Sequence, residues 1–411
     1  VLMDQSHPAP PAVDGARPGD ALRIGPLAGP LPNVRRIAVL RGGGLGDLLF
    51  TLPALQSLRD AYPDATLTLL GTPEHARLLA DRPSPVHEVL VLPPARGVYE
   101  PAGGPPHADS DQEAARSQQR FFDQARHREF DLAVQLHGGG RWSNPFLRRL
   151  GARWTVGPRT PDAATLDRWL PYRLYQHEVL RGLEVVGLAG APPTQLCPRL
   201  AVTAQDLSEA DEALHELPRP LLVIHPGASD PRRRWPAENF AAVAVAAADR
   251  GGGVAVVGGG AEAGLVEQVV RRARDQLPAD RRFAVRSLAG VLSPSGLVGV
   301  LTRGNVLLAN DSGPRHLADA VGTPTTAIFW MGNAINAAPF GRARHRVHLS
   351  WTAACPVCGA NCTDPNGRRC EHDVSFVADV PLAAVLDDVA ELLTATERPT
   401  TQLTALDGVP R

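Results

Sequence analysis

At 411 residues the chain is long enough for two domains of ordinary size, each with its own core, which excludes a single small domain. A formal net charge of -1, with arginine supplying all 42 basic residues, excludes the basic surplus of a nucleic-acid binder. No run of 18 apolar residues and no charged-then-apolar N-terminus supports a membrane span or export. The expectation is therefore a cytoplasmic protein with small or neutral partners, no nucleic acid and no transmembrane segment; peripheral attachment at the inner face of the membrane stays open.

Residues 1–33 are rich in Pro, Gly and Ala without apolar periodicity, which predicts a disordered leader. Arg36 to Leu40 (RIAVL) reads as a buried parallel strand, and RGGGLGD over 41–47 is the loop that opens an amphipathic helix from Leu48 to Ala61. A dinucleotide fingerprint starting at Gly42 would need glycine at position 47, where this chain has aspartate, so a dehydrogenase reading weakens. Asp47 at a helix start is kept ionised by the dipole, in a loop whose glycines allow close approach of a substrate. A carboxylate base is one use for it, and a simple helix cap is the other.

Strands at 65–70 and 86–92 flank a helix at 74–80, continuing a β/α alternation. An insertion over 93–118 opens with a turn-rich stretch to about Asp111 and runs into a helix over 113–128, followed by a strand over 132–136 and a second glycine loop, His137 to Arg141. Gly44 in the first loop and Arg141 in the second are the expected acceptor contacts, the arginine holding a negative group. Residues 163–189 read as mostly helical, with His177 at the surface, and 190–217 as a linker.

Leu221 to Ile224 is a buried strand, followed by HPGAS and then by three arginines, Arg232 to Arg234, before a helix from Glu238. Arginine forks beside helix N–H groups suit a diphosphate, although a solvated basic turn has the same composition. The strand at 253–257 and the turn 258–262 repeat the arrangement, with Glu262 placed either to accept from a ribose or to cap its helix. NVLLANDSGPRHLADAVGTPTTAIFW, from Asn305 to Trp330, reads as strand, turn, helix and strand. Ser312 and Gly313 can donate to an anion at that helix start, while Asp311 caps the turn or accepts from ligand hydroxyls.

Three stretches, RGGGLGDLLFTLPALQSLRDAYP, VIHPGASDPRRRWPAENFAAVA and LLANDSGPRHLADAVGTPTTAIF, resemble in that order the signature blocks of glycosyltransferase family 9, the heptosyltransferases. The resemblance covers about residues 35 to 395. It implies an α/β, GT-B architecture: two Rossmann-like doubly wound domains facing a cleft, acceptor on the first (34–205) and donor on the second (206–380). It further implies a C-terminal helix over 381–396 packing back on the first domain, with 397–411 as a tail.

The implied reaction is inverting transfer from a nucleotide-sugar, ADP-heptose by resemblance, to a glycan, lipid-linked or small glycoside acceptor, with no cofactor required. Asp47 matches the family's general base; Arg233, where many members have lysine, Ser229, Glu262, Leu288, Asp311, Ser312, Gly313 and His316 match the donor side. A sugar-nucleotide epimerase or hydrolase on the same frame, or a non-catalytic sugar-nucleotide binder, remains the alternative.

Four of the five cysteines, Cys355, Cys358, Cys362 and Cys370, fall within sixteen residues. They can close a tetrahedral structural zinc site or stay as unligated thiols, outside the catalytic set in either case.

Overall fold

The computed structural model describes residue 22 and residues 24–101, 108–364 and 367–395, with the side chains of 108–111 left out. Residues 1–21 and 23 of the expected leader, 102–107 of the expected insertion and the expected tail over 397–411 lie outside the described residues.

The first sheet contains β1 (Arg36–Leu40), β2 (Thr66–Gly71), β3 (Glu88–Val91), β4 (Leu132–Gln135), β5 (Trp154–Arg159) and β6 (Arg168–Pro171) in the order β3-β2-β1-β4-β5-β6. The second contains β7 (Leu221–His225), β8 (Gly253–Gly258), β9 (Val285–Ala289), β10 (Val306–Asn310), β11 (Thr325–Trp330) and β12 (His345–Ser350) in the order β12-β11-β10-β7-β8-β9. Every pairing in both sheets is parallel. Both orders are therefore the 3-2-1-4-5-6 of a doubly wound fold. Strands such as LLVIH of β7 and VLLAN of β10 are buried at every position, as helices on both faces require.

The covering helices are α1 (Leu45–Ala61), α2 (Pro73–Leu79), α3 (Ala108–His127), α4 (Ser143–Arg148), α5 (Glu178–Leu188), α6 (Ala204–Ala213), α7 (Ala237–Asp249), α8 (Ala263–Gln276), α9 (Pro294–Arg303), α10 (Gly313–Ala320), α11 (Met331–Ala337) and α12 (Leu382–Thr394). In each sheet the strand order reverses at one point, between β1 and β4 and between β7 and β10. Ligands of open α/β sheets bind outside the carboxyl ends of strands at such a point. The loops placed there are 41–44 with 136–142, and 226–236 with 311–312.

Several expectations are corrected. Residues 24–33 of the leader are docked: Leu31 is buried, its N–H bonds the Tyr62 hydroxyl, and Ala28 N–H bonds Gly187 O, so apolar contact and backbone pairing offset the entropy of ordering. The 93–118 insertion turns helical at Ala108, where α3 begins. Residues 163–189 hold a strand, β6, as well as α5, because Arg168 to Pro171 finds a free sheet edge at β5.

The linker over 190–217 contains α6, started by a Thr203/Asp206 capping box and packed on α9. The C-terminal helix α12 packs on α7, β10 and β11 of the second domain, not on the first. Its stripe of Val385, Val389 and Leu392 fills the second domain's core beside Phe240 and Leu308, where the apolar face is left open.

Candidate active site

β1 is buried from Ile37 to Leu40, and Gly44, in extended backbone, starts α1. Asp47 at the third helical position uses both carboxylate oxygens: Oδ2 accepts from the Gly44 N–H at 2.9 Å and Oδ1 meets Arg41 Nη2 at 2.5 Å. It therefore caps its helix and still keeps a half-exposed side chain. Partial burial pushes the Asp47 pKa up, but the Arg41 guanidinium and the Gly44 N–H outweigh it and hold the carboxyl below its ordinary range.

Arg41 is buried, donates to the Leu136 carbonyl, and lies 3.3 Å from Glu178 on α5, which in turn pairs with Arg181. Burial lowers the Arg41 pKa, and the two carboxylates outweigh that and raise it. The sequence analysis did not single out this Asp47–Arg41–Glu178–Arg181 chain. Position 41 was visible beside the glycine loop, but Glu178 is 137 residues away and carried no local signal.

His137, at the end of β4, has its pKa lowered to about 4 by burial and by Arg41, so it is neutral at physiological pH. Together with Gly43, Thr72, Glu74, Arg77 and the 97–101 segment it lines a cleft of 570 Å³. A second hollow of 270 Å³, lined by the 137–143 loop, Thr160 and Tyr172, adjoins it. Arg141 stands on that rim, 3.5 Å from Asp162.

Across the cleft, Asn310 at the tip of β10 ties the second domain's loops together, accepting from Trp235 N–H at 3.0 Å and donating to Pro226 O at 2.7 Å. The helix α10 has Ser312 as its N-cap residue but no side-chain cap bond. Ser312 Oγ instead lies 3.0 Å from His225 Nδ1, whose Nε2 lies 3.2 Å from Glu262. Asp311 is buried between His316 (3.1 Å), Asn333 (2.8 Å) and Arg233 (3.7 Å). Burial raises its pKa, and the His316 contact with the nearby arginines overcomes this and lowers it.

Ser312 and Asp311 are thus engaged with other side chains rather than with a cap, whereas Glu262 also caps its turn by accepting from the Gly259 N–H at 2.9 Å. Among the three consecutive arginines, Arg232 pairs with Asp230, Arg234 donates to Ala228 O, and Arg233 reaches Ser229 Oγ at 2.8 Å and Asp311.

The two halves meet at this point. A Cβ on Gly46 would sit 2.9 Å from the His316 ring, and the Phe50 and His316 rings are 4.3 Å apart edge to face. The structure thus brings Asp47 and Gly44 to the edge opposite Asp311, Ser312, Gly313 and His316, with Arg233, Ser229 and Glu262 behind them. Two expectations differ. Leu288 is 4% exposed and packs in the core, because β9 is covered on both faces, with Val285 in one core cluster and Leu288 in the other. His177 is half-buried between the domains, its Nε2 2.8 Å from Ala338 O and its ring tilted at 39° against Phe340, 4.4 Å between centroids.

The cysteines are also rearranged. Cys355, Cys358 and Cys370 gather with His372, whereas Cys362 stands aside with its thiol directed at Ala360 O.

Two doubly wound domains with their switch-point loops opposed, an ionised carboxylate on one side and an arginine-backed helix N-terminus on the other, define the class of GT-B glycosyltransferases. Residues 119–361 match the family model described as glycosyltransferase family 9 (heptosyltransferase), and the chain belongs to that family.

It is 23% identical over 317 residues to the lipopolysaccharide core heptosyltransferase OpsX of Haemophilus influenzae, spanning 74% of this chain and 82% of that one. With lipopolysaccharide heptosyltransferase 1 of Pseudomonas aeruginosa the identity is 24%, over 79% of this chain and 86% of the other. Among solved structures, a family 9 glycosyltransferase from Veillonella parvula superimposes with a TM-score of 0.68 at 19% identity, covering 88% of this chain and 98% of that one. The Escherichia coli ADP-heptose heptosyltransferase II gives a TM-score of 0.65 at 18% identity over 89% and 100%. The protein is a glycosyltransferase, and no described helix is long and apolar enough to cross a membrane.

Proposed function

We propose that this glycosyltransferase moves a heptose from ADP-heptose to a hydroxyl of a lipopolysaccharide core acceptor, with inversion and with Asp47 as general base. The observation that supports the reading is the ionised, clamped Asp47 on α1, the helix whose Gly46 and Phe50 meet His316 of the second domain. The names of the relatives favour heptose, a nucleoside diphosphate donor and a lipopolysaccharide acceptor.

Asp47 removes the proton of the acceptor hydroxyl, the oxygen forms its bond to the anomeric carbon, and the bond from that carbon to the diphosphate breaks. Negative charge then grows on the diphosphate, where Arg233 and the Gly313 N–H at the start of α10 can stabilise it. Glu262, held by His225 and the Gly259 N–H, would accept from the ribose hydroxyls. The 97–101 segment, Gly44 and the 137–141 loop, with Arg141 on the rim, would receive the acceptor.

The test is a thermal-shift screen of ADP-, GDP-, UDP- and dTDP-sugars, followed by product analysis with the stabilising donor. ADP-heptose should stabilise the protein, and Asp47→Ala should lower kcat by about 10²–10⁴-fold while leaving that stabilisation intact. Stabilisation by UDP- or dTDP-sugars alone removes the heptosyl reading, and undiminished turnover by Asp47→Ala removes the base.

A further inference from the structure

The segment between β12 and α12 carries the densest group of metal-binding side chains among the described residues, and neither half of the cleft uses it. One donor atom from each of Cys355, Cys358, Cys370 and His372 lies within 4.8 Å of the other three. In a tetrahedral zinc site with ordinary Zn–S and Zn–N bonds, donors stand roughly 3.3–3.8 Å apart, so a small contraction would close the shell.

Two further observations point to a ligand. His372 Nδ1 is buried and has no hydrogen-bond partner, an arrangement that buried polar nitrogens rarely keep without a ligand or a water. The Cys355-Pro356-Val357-Cys358 stretch is wound into a tight turn, with Gly359 N–H bonded to Cys355 O at 2.9 Å and Cys355 N–H to Ala360 O at 2.8 Å. All the cysteines are free, so no disulfide competes for the sulfurs.

We infer that Cys355, Cys358, Cys370 and His372 bind one zinc ion, with Cys362 outside the shell. Three soft thiolates and one imidazole in a tetrahedron suit zinc over magnesium or calcium, which take oxygen donors. The site is structural, because four protein donors leave no position for substrate.

Its place in the fold gives it a task. Directly after His372, Ser375 Oγ donates to Arg234 O at 2.6 Å and Phe376 N–H to Arg232 O at 2.6 Å, while Arg369 lies 3.8 Å from Asp230. On the other side of the loop, Thr363 O accepts from Tyr175 of the first domain at 2.9 Å. The metal thus fastens the strap that backs the turn carrying Arg233. This consequence rests on the donor reading above, whereas the metal site does not.

Metal analysis of the full chain, purified without chelator, should give about one zinc per chain. Cys370→Ser and His372→Ala should each lose it, and Cys362→Ser should keep it. Absence of metal with all thiols free to react, or loss of zinc in Cys362→Ser equal to that in Cys358→Ser, overturns the assignment. Should the loss variants fail to fold, cobalt-loaded His372→Cys keeps the question decidable. Its tetrahedral visible bands must differ from those of the cobalt-loaded parent, and identical bands exclude His372 as a ligand. ADP binding should weaken about tenfold in zinc-free protein; unchanged affinity removes the link to the arginine turn and leaves the metal count standing.

Discussion

Asp47 is held as a carboxylate by Arg41 and by the Gly44 N–H, and His137 beside it is neutral. Because the Asp47 pKa lies below the usual carboxylate value, the base form is present throughout the neutral range. On the free enzyme kcat/KM should therefore show no acid limb between about pH 5 and pH 8, whereas a histidine base would give one near about 6.5. A limb in that window that disappears in His137→Asn would reassign the base. Stability should behave differently. A histidine titrating at about 4 in the fold and about 6.5 when unfolded binds more protons unfolded, so stability falls as pH drops from about 6.5 towards 4. His75 and His316, lowered first of all by burial, add in the same direction. Urea unfolding across that range should show the slope, and His137→Asn should flatten it.

At the scale of elements, the strand-end loops work because they are cramped. A Cβ on Gly227 would stand 1.8 Å from Glu262 Oε1, so the turn after β7 and the carboxylate after β8 cannot both keep their places if that position carries a side chain. Gly227→Ala should push Glu262 from His225 and weaken ADP binding about tenfold, read by calorimetry, while Asp47 on the other domain is undisturbed. Full affinity in that variant would mean that Glu262 is not a donor contact. The local signals for these loops were strong: an apolar run of five, a glycine turn and a helix are contiguous in sequence. The positions of Asp47, Arg233, Ser229, Glu262, Asp311, Ser312 and Gly313 on strand-end loops and helix starts were accordingly legible. Leu288, matched to the donor side by resemblance, is buried because β9 is covered on both faces, which no local pattern in its five residues announces.

In the whole molecule, the two domains are joined by a buried pair. Arg82, after α2, meets both oxygens of Asp206 on α6 at 2.6 and 2.8 Å, with side-chain exposures of 2% and 0%. Burial raises the Asp206 pKa, and the Arg82 bonds with the Thr203 N–H outweigh it. Arg82→Met leaves a carboxylate buried without its partner and should cost about 3–5 kcal/mol in denaturant unfolding. The double variant Arg82→Met/Asp206→Leu should recover much of that, and a single variant within 1 kcal/mol of the parent, about the worth of an exposed pair, would show that the pair is solvated.

The amino-acid sequence by itself determined the two doubly wound sheets and the strand-end loops on which the candidate residues stand, because each β-loop-α unit is a short contiguous pattern whose periodicity and turn residues act locally. Tertiary structure decided what meets across distance. It pairs Arg41 with Glu178, gives Cys370 a partner in His372 instead of Cys362, buries Leu288 and sends α12 to the second core. The physical reason is that an apolar stripe or a charged side chain specifies that it must be covered or paired, while the choice among several complementary surfaces depends on which one the folded backbone brings within a few ångströms.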